Sequence, residues 1–164
     1  MLKILSLFLD RKKHKTKTLD EVSKDRLMSI DRQWLRADQL HIAFHKEELK
    51  RMSKKKQKVV SSVKYFITPE GAFLCVWYAL LFSVLEGLEE SGVKLTFLEN
   101  YDATIYKMLK KFRNAVFHTP SVYWDKRFVK LFEKYETDNE SKIEKLHKEV
   151  ALKLQVEIRK YNAN

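Results

Sequence analysis

Residues 68–92 read TPEGAFLCVWYALLFSVLEGLEESG, and this stretch points most directly to the architecture of the chain. Thr68 can cap a helix, Pro69 suits the first helical position, and Glu70 complements the positive end of the helix dipole. Apolar residues then recur at helical spacing on both sides of the segment, until Gly92 provides a terminator. We therefore expect a helix that is either central to a bundle or shared with a second subunit.

The composition independently favours an all-α fold. The 164 residues include only three Gly and two Pro, far fewer than a turn-rich β-sandwich or barrel needs, and they contain no Gly-rich phosphate-binding motif. A hydrophobic content of 45% is ordinary for a globular domain and too high for a disordered chain. The sequence predicts one helical domain over residues 19–164, an antiparallel bundle of four to five helices, after a basic N-terminal segment over residues 1–18.

The other helices are predicted from apolar spacing and from helix-capping residues. Pro120 disfavours helical backbone at the residue before it, so one helix is expected to end at about His118. The predicted spans are about 20–52, about 100–118, about 124–135, and from Asp138 or Asn139 onward. The expected core-facing residues are Leu27, Ile30, Trp34, Leu35, Ile42, Phe44, Leu49 and Met52, then Ile105, Leu109, Phe112 and Val116, and finally Ile143, Leu146, Val150, Leu154 and Ile158.

The single cysteine, Cys75, excludes an internal disulfide framework and a Cys-based zinc site. It lies within an apolar run, which favours a buried and unreactive thiol. The opening apolar run over residues 1–9 is short for a signal peptide, and the run over residues 72–85 is too short to span a bilayer. We expect a soluble, cytoplasmic protein with no membrane partner.

Positive charge is concentrated in three clusters. The chain carries 33 Lys+Arg and 22 Asp+Glu, a formal net charge of +11. Clustered cations favour a polyanion, because binding releases its condensed counterions, although lysine-rich surfaces also simply keep proteins soluble. For the first two clusters both interpretations stay open. The clusters are Arg11, Lys12, Lys13, Lys15 and Lys17; Lys50, Arg51, Lys54, Lys55, Lys56 and Lys58; and Lys107, Lys110, Lys111 and Arg113.

The third cluster leads into the segment KKFRNAVFHTP, residues 110–120. Asn114 and His118 are four residues apart and share a helix face, whereas Arg113 and His118 lie about 140° apart on a straight helix. Arg offers a planar fork of donors for a phosphate, and His transfers protons near neutral pH. The combination suits metal-free RNA cleavage. An Arg and a His near a helix C-terminus also stabilise the helix dipole without any chemistry, and this alternative stays open.

The pattern Arg113-Asn114-x-x-x-His118, at the end of an aromatic-rich helix, resembles the signature of the HEPN superfamily (higher eukaryotes and prokaryotes nucleotide-binding domains). The apolar helix before the motif and the residues after it are also similar to members of that group, so the resemblance covers residues 69–132. It implies a helical bundle that dimerises and brings two motifs into one cleft. Many such domains are metal-independent endoribonucleases, in which the 2′-hydroxyl of RNA attacks the adjacent phosphate.

The resemblance implies a role for each matching residue. Arg113 would bind and stabilise the phosphate, His118 would handle protons, Asn114 would orient them, and Glu86 would support the cleft. No metal or other cofactor is implied for the cleavage. The implied partners are RNA, a second copy of the chain, and a regulatory or antitoxin protein. The apolar surface on both sides of the second helix is too wide for one small bundle to cover, so we expect the second copy to bind through the second and third helices.

Residues around the motif are candidates for substrate binding. Lys107, Lys110 and Lys111 make the third helix attractive to RNA, and Lys110 lies one turn before Asn114. Tyr123 and Trp124 follow the motif and can stack on a base, although packing is the commoner role for such residues.

The sequence departs from one group of HEPN toxins, in which a Tyr two residues after the His is modified by a nucleotidyltransferase antitoxin. Pro120 occupies that position here. This departure argues against modification by such a partner and leaves nuclease activity unaffected. A role in defence or as a toxin, and a non-catalytic HEPN bundle that binds nucleic acid or protein, are both compatible with the motif.

A second alternative is a di-metal centre in the helical bundle. The spacings Asp38-x-x-His41 and Glu144-x-x-His147 resemble half of the ligand pattern of such centres. A complete set needs carboxylates from two further helices, of which Glu86 can supply one. The residues of the first helix that share this face are Asp38, His41, His45 and Glu48, and the histidines are otherwise expected to be hydrogen-bonded in the core or at an interface.

Overall fold

The computed structural model of the chain describes residues 19–53, 65–95, 103–117 and 138–162. These residues form four α-helices and contain no β-strand, which confirms the predicted all-α bundle. The basic segment over 1–18 and the helix predicted over 124–135 lie outside the described residues. The helices are α1 (Leu19–Ser53), α2 (Pro69–Glu90), α3 (Ala103–Phe117) and α4 (Asp138–Asn162).

Contacts between neighbouring helices run in opposite chain order, so the bundle is antiparallel. Near the end of α1, Arg51 Nε lies 3.5 Å from Glu70 Oε1 at the start of α2. Toward the start of α1, Ile30 packs on Gly87, where an added Cβ would lie 2.8 Å from Ile30 Cγ1. Glycine therefore permits the close approach of the two helices. α2 and α3 are also antiparallel, because Tyr78 contacts Phe112 whereas the later Phe82 contacts the earlier Tyr106. α1 and α4 are antiparallel too, because Asp38 contacts His147 whereas the later His41 contacts the earlier Glu144.

The ends of α2 lie where the sequence predicts them. The Thr68 side chain accepts a hydrogen bond of 3.2 Å from the Gly71 N–H, and Pro69 is the first helical residue. Ser91 caps the C-terminus, and Gly92 follows with φ 73°, in the left-handed region that glycine adopts without a steric penalty. Local chemistry is therefore sufficient to fix both boundaries.

α2 is the central helix of the bundle within one chain. The exposed residues of α2 are Pro69, Ala72, Glu89 and Glu90. The apolar run over 72–85, too short by itself to span a bilayer, belongs to the longer helix α2. By length and composition alone, α2 is apolar enough to cross a membrane. Most of this apolar stretch is buried inside the bundle. Its fully buried residues include Trp77, Leu81, Phe82, Val84, Leu85 and Leu88.

α1 buries only part of the set predicted to face the core. The prediction is wrong for four residues because α1 carries apolar residues on two faces, and spacing alone does not say which face α2 covers. The covered face instead includes the buried Ala37 and the half-buried His41. The predicted residues that are buried or packed on the core are Leu27, Ile30, Trp34 and Phe44. The exposed ones are Leu35, Ile42, Leu49 and Met52, with exposures of 47%, 59%, 67% and 55%.

The predicted apolar stripes of α3 and α4 are confirmed. Both stripes lie on the inner side of the bundle, and their last members, Val116 and Ile158, are half-buried. The buried members are Ile105, Leu109 and Phe112 on α3 and Ile143, Leu146, Val150 and Leu154 on α4.

Cys75 is buried in α2, as predicted. Burial raises the pKa of its thiol to about 12. Because the thiolate is the nucleophilic form, a thiol that stays protonated at neutral pH is unreactive.

Candidate functional site

One face of α3 is exposed and basic. Lys107, Lys110 and Lys111 are all exposed, and Asn114 and Phe117 continue the exposed face to the end of the helix. Residues spaced three and four apart share one side of a helix, so the three ammonium groups and the Asn114 amide face the same solvent region. The lysines predicted to bind substrate are therefore accessible to a polyanion.

Arg113 lies at the edge of this face and is held by α2. Its Nη2 donates a hydrogen bond of 2.6 Å to Glu86 Oε1, and both side chains are partly buried, with exposures of 23% and 34%. The guanidinium carbon also lies 5.3 Å from the centre of the Phe82 ring, within the range of a cation–π contact. Glu86, predicted as a supporting residue, thus touches the predicted phosphate-binding residue directly.

The contact with Glu86 leaves part of the Arg113 guanidinium available. A guanidinium carries five N–H donors, and the Arg113 side chain is 23% exposed, while its Nε–H is buried and has no hydrogen-bond partner among the described residues. A charge-assisted bond fixes the plane of the group, and an oxyanion in that plane would satisfy further donors. The arrangement is chemically suited to holding a phosphate, although no phosphate is needed to keep the Glu86 contact.

Tyr106 of α3 contacts two residues of α2, Phe82 and Glu89. The sequence pattern did not predict it as a site residue. Its hydroxyl donates a hydrogen bond of 2.8 Å to Glu89, and its ring packs edge-to-face on Phe82 with centroids 5.0 Å apart. Burial and the hydrogen bond to the Glu89 carboxylate raise the pKa of Tyr106 to about 12. The phenol therefore stays protonated and positions its neighbours.

The remaining predicted site residues lie outside the described residues. His118 directly follows the last residue of α3, Phe117, and Tyr123 and Trp124 come later in the same segment. The roles predicted for His118, Tyr123 and Trp124 stay predictions. The predicted end of the third helix at about residue 118 lies just beyond the described residues and stays a prediction.

A second group of polar side chains meets on the other side of α2. Asp38 and His147 lie 3.0 Å apart, and His41, His45 and Glu144 are also in mutual contact. Asp38, His41, Glu144 and His147 are the predicted half-set of metal ligands, brought together by α1 and α4, and His45 joins them from the same face of α1. Glu86 does not join them, because it pairs with Arg113. The four-helix di-metal pattern is therefore incomplete among the described residues.

The two groups are well separated. Trp77 contacts the histidines, with its ring centre 4.3 Å from that of His41, whereas Glu86 contacts Arg113. Nine residues of α-helix separate Trp77 from Glu86, which corresponds to about 13 Å along the axis and about half a turn around it. The two groups lie on opposite faces of α2 and can be altered independently.

Comparisons of the chain with models of protein families, with curated proteins and with solved structures give no match. The HEPN resemblance therefore depends on the motif and its helical setting alone.

Proposed function

We propose that the chain is a metal-independent endoribonuclease in which Arg113 and His118 act at the scissile phosphate. The observation that carries the proposal is the Arg113 guanidinium, held at 2.6 Å by Glu86 at the edge of an exposed face with three lysines. A fixed planar cation next to mobile ammonium groups can hold one phosphate rigidly and its neighbours loosely.

The proposed reaction needs only the two motif residues and the RNA itself. The 2′-oxygen forms a bond to phosphorus, and the bond from phosphorus to the 5′-oxygen breaks. The 2′-hydroxyl loses a proton and the departing 5′-oxygen gains one; His118 handles one of these transfers and solvent water handles the other. Arg113 stabilises the charge that builds on the phosphate oxygens in the transition state. The products are a 2′,3′-cyclic phosphate, or its hydrolysis product, and a free 5′-hydroxyl.

RNA binding is expected to weaken steeply with salt, because lysines and an arginine dominate the contacts. Replacing Lys107, Lys110 and Lys111 with Gln should lower the slope of log affinity against log salt by about 2, since each phosphate contact with a single strand contributes about 0.7. Fluorescence anisotropy with a labelled single-stranded RNA over a salt series measures this slope.

The control for this experiment is a triple Gln variant at Lys24, Lys145 and Lys148. These three lysines are also exposed, but they lie on α1 and α4. The control has the same net charge as the α3 variant and should keep the wild-type slope. Equal slopes for both variants, or wild-type affinity that does not respond to salt, would remove the α3 face from the proposal.

The proposal includes a homodimer, as the HEPN resemblance implies. α2 is covered within its own chain, so its apolar surface is not what a second copy would bury. An interface through the second and third helices would instead use the exposed end of α3, where Phe117 is 50% exposed. Light scattering at micromolar concentration is expected to give the mass of a dimer, and Phe117→Asp is expected to shift it toward a monomer. A wild-type monomer contradicts this part of the proposal.

A non-catalytic bundle remains the second candidate, because the same basic face would serve a module that only binds RNA. The two are distinguished by cleavage. Salt-sensitive RNA binding without cleavage of any RNA tested would favour the binding module.

A further inference from the structure

Three side chains between α1 and α4 converge on one point. His41 and His45 are one turn apart on α1, and Glu144 lies on α4. The Nε2 atoms of His41 and His45 lie 2.6 and 2.8 Å from Glu144 Oε1, and they are 2.9 Å from each other. Three atoms of the kinds that bind metal ions therefore form a closed triangle with edges of 2.6–2.9 Å.

Protons alone do not satisfy all three edges of this triangle. At each imidazole Nε2 there is either one proton or one lone pair. If both Nε2 atoms carry protons, both donate to Glu144 Oε1, and two donors then face each other across 2.9 Å. If one Nε2 carries a lone pair, that lone pair faces the carboxylate oxygen, and two acceptors meet. A cation above the plane of the triangle, about 2.1 Å from each atom, removes the conflict, because all three atoms then offer it a lone pair.

The triangle combines one carboxylate oxygen, from Glu144, with two imidazole nitrogens, from His41 and His45. This is a donor set that suits borderline divalent ions such as zinc, iron and nickel.

The two other polar residues nearby are already engaged. The Trp77 indole N–H donates a hydrogen bond of 3.2 Å to Nδ1 of His147, and an indole nitrogen only donates. Because Nδ1 accepts this bond, the His147 ring carries no proton at that nitrogen. Its proton is then on Nε2, which donates to Asp38 Oδ1 at 3.0 Å. His147 and Asp38 therefore form a hydrogen-bonded pair next to His41. Both nitrogens of His147 are engaged, so this ring has no free lone pair to offer an ion.

The triangle has one buried side and one open side. His41 packs against the Trp77 ring at 4.3 Å between centroids, and its side chain is only 13% exposed. The side chain of His45 is 41% exposed, so an ion could enter from solvent and keep water on the open side. Glu48 Oε2 lies 3.7 Å from Nδ1 of His45, on the side from which carboxylates orient metal-bound imidazoles.

We propose that His41, His45 and Glu144 bind one divalent transition-metal ion of the zinc class, which joins α1 to α4. Ligands about 2.1 Å from an ion are about 3.0 Å apart on one face of an octahedron and about 3.4 Å apart in a tetrahedron. The observed edges are close to the octahedral value and need only small side-chain rotations to reach it. The site is a single-ion site, unlike the di-metal pattern considered from the sequence, and it does not depend on the proposed ribonuclease activity.

Metal titration of the tag-free full chain, stripped with chelator and dialysed, tests this proposal. Co²⁺ is expected to bind at one ion per chain with visible d–d absorption, and Zn²⁺ is expected to displace it. Glu144→Gln removes the charged ligand and should weaken Co²⁺ binding by at least ~100-fold. His45→Ala should do the same, and because this side chain is 41% exposed the variant is expected to fold.

Two matched controls make the test specific. Glu157→Gln is the same change on the same helix, at a residue that pairs with Lys160 and not with the histidines, and it should bind like wild type. His118→Ala removes a histidine outside the triangle and should also bind like wild type. Circular dichroism establishes that each variant is helical. Wild-type protein that binds neither ion at micromolar concentration, or Glu144→Gln that binds as tightly as wild type, would overturn the proposal.

Discussion

His118→Ala is expected to lower the rate of RNA cleavage by about 10²–10⁴-fold, the usual cost of losing positioned acid–base help. The variant should keep its helical content and most of its RNA affinity, because the ammonium groups on α3 are unchanged. Cleavage of a labelled RNA under single-turnover conditions separates the chemical step from binding.

Three further variants show which residues the loss of cleavage depends on. Arg113→Lys should not restore what Arg113→Ala loses, because a point charge cannot reproduce the planar fork that Glu86 orients. His45→Ala is the matched histidine control on the opposite face of α2, and it should cleave at the wild-type rate. If His118→Ala and Arg113→Ala both cleave as fast as wild type, the proposed roles are wrong.

Trp77→Ala is expected to destabilise the folded chain by about 3–5 kcal/mol, the range for truncating a large aromatic residue in a core. Trp77 is fully buried, and its ring lies 4.3, 5.9 and 4.9 Å from the rings of His41, Phe44 and Tyr78. The truncation leaves a cavity and also leaves Nδ1 of His147 without its donor. Urea denaturation followed by circular dichroism measures the free energy of unfolding.

Trp77→Phe separates the two contributions. It keeps an aromatic ring but removes the N–H, so its cost should be smaller, about 1–3 kcal/mol for an unsatisfied buried acceptor. Leu152→Ala on α4 is the surface control, since its side chain is 65% exposed, and it should change stability by less than about 0.5 kcal/mol. A Trp77→Ala variant within 1 kcal/mol of wild type would contradict the central position given to this residue.

Local chemistry made parts of the fold predictable. Thr68, Pro69 and Gly92 act through their own backbone geometry, so the ends of α2 follow from the sequence. The exposed Leu35 and Ile42 on α1 could not be assigned in the same way. An apolar residue is buried only if another helix covers it, and the sequence does not contain that information when a helix has two apolar faces.

The sequence predicts individual residues of the candidate site, but it does not predict which of them are in contact with residues of other helices. The lysines of α3 share a face by spacing alone, whereas the contact of Arg113 with Glu86 joins residues 27 apart in the chain. The histidines at 41 and 45 are visible as a one-turn pair, but their convergence on Glu144 depends on how α4 packs against α1. Only tertiary packing determines such contacts.

The most direct measurement of the ribonuclease proposal is end-group analysis of RNA incubated with the wild-type chain in EDTA. The proposal predicts cleavage in EDTA, products that end in a 2′,3′-cyclic phosphate or its hydrolysis product, and no cleavage where a 2′-deoxy nucleotide replaces the scissile position. Glu144→Gln lacks the proposed metal site. A loss of activity in EDTA that comes from that separate ion should therefore occur in the wild type and not in this variant. Cleavage that requires added metal in both proteins, or that proceeds at a 2′-deoxy position, would contradict the mechanism.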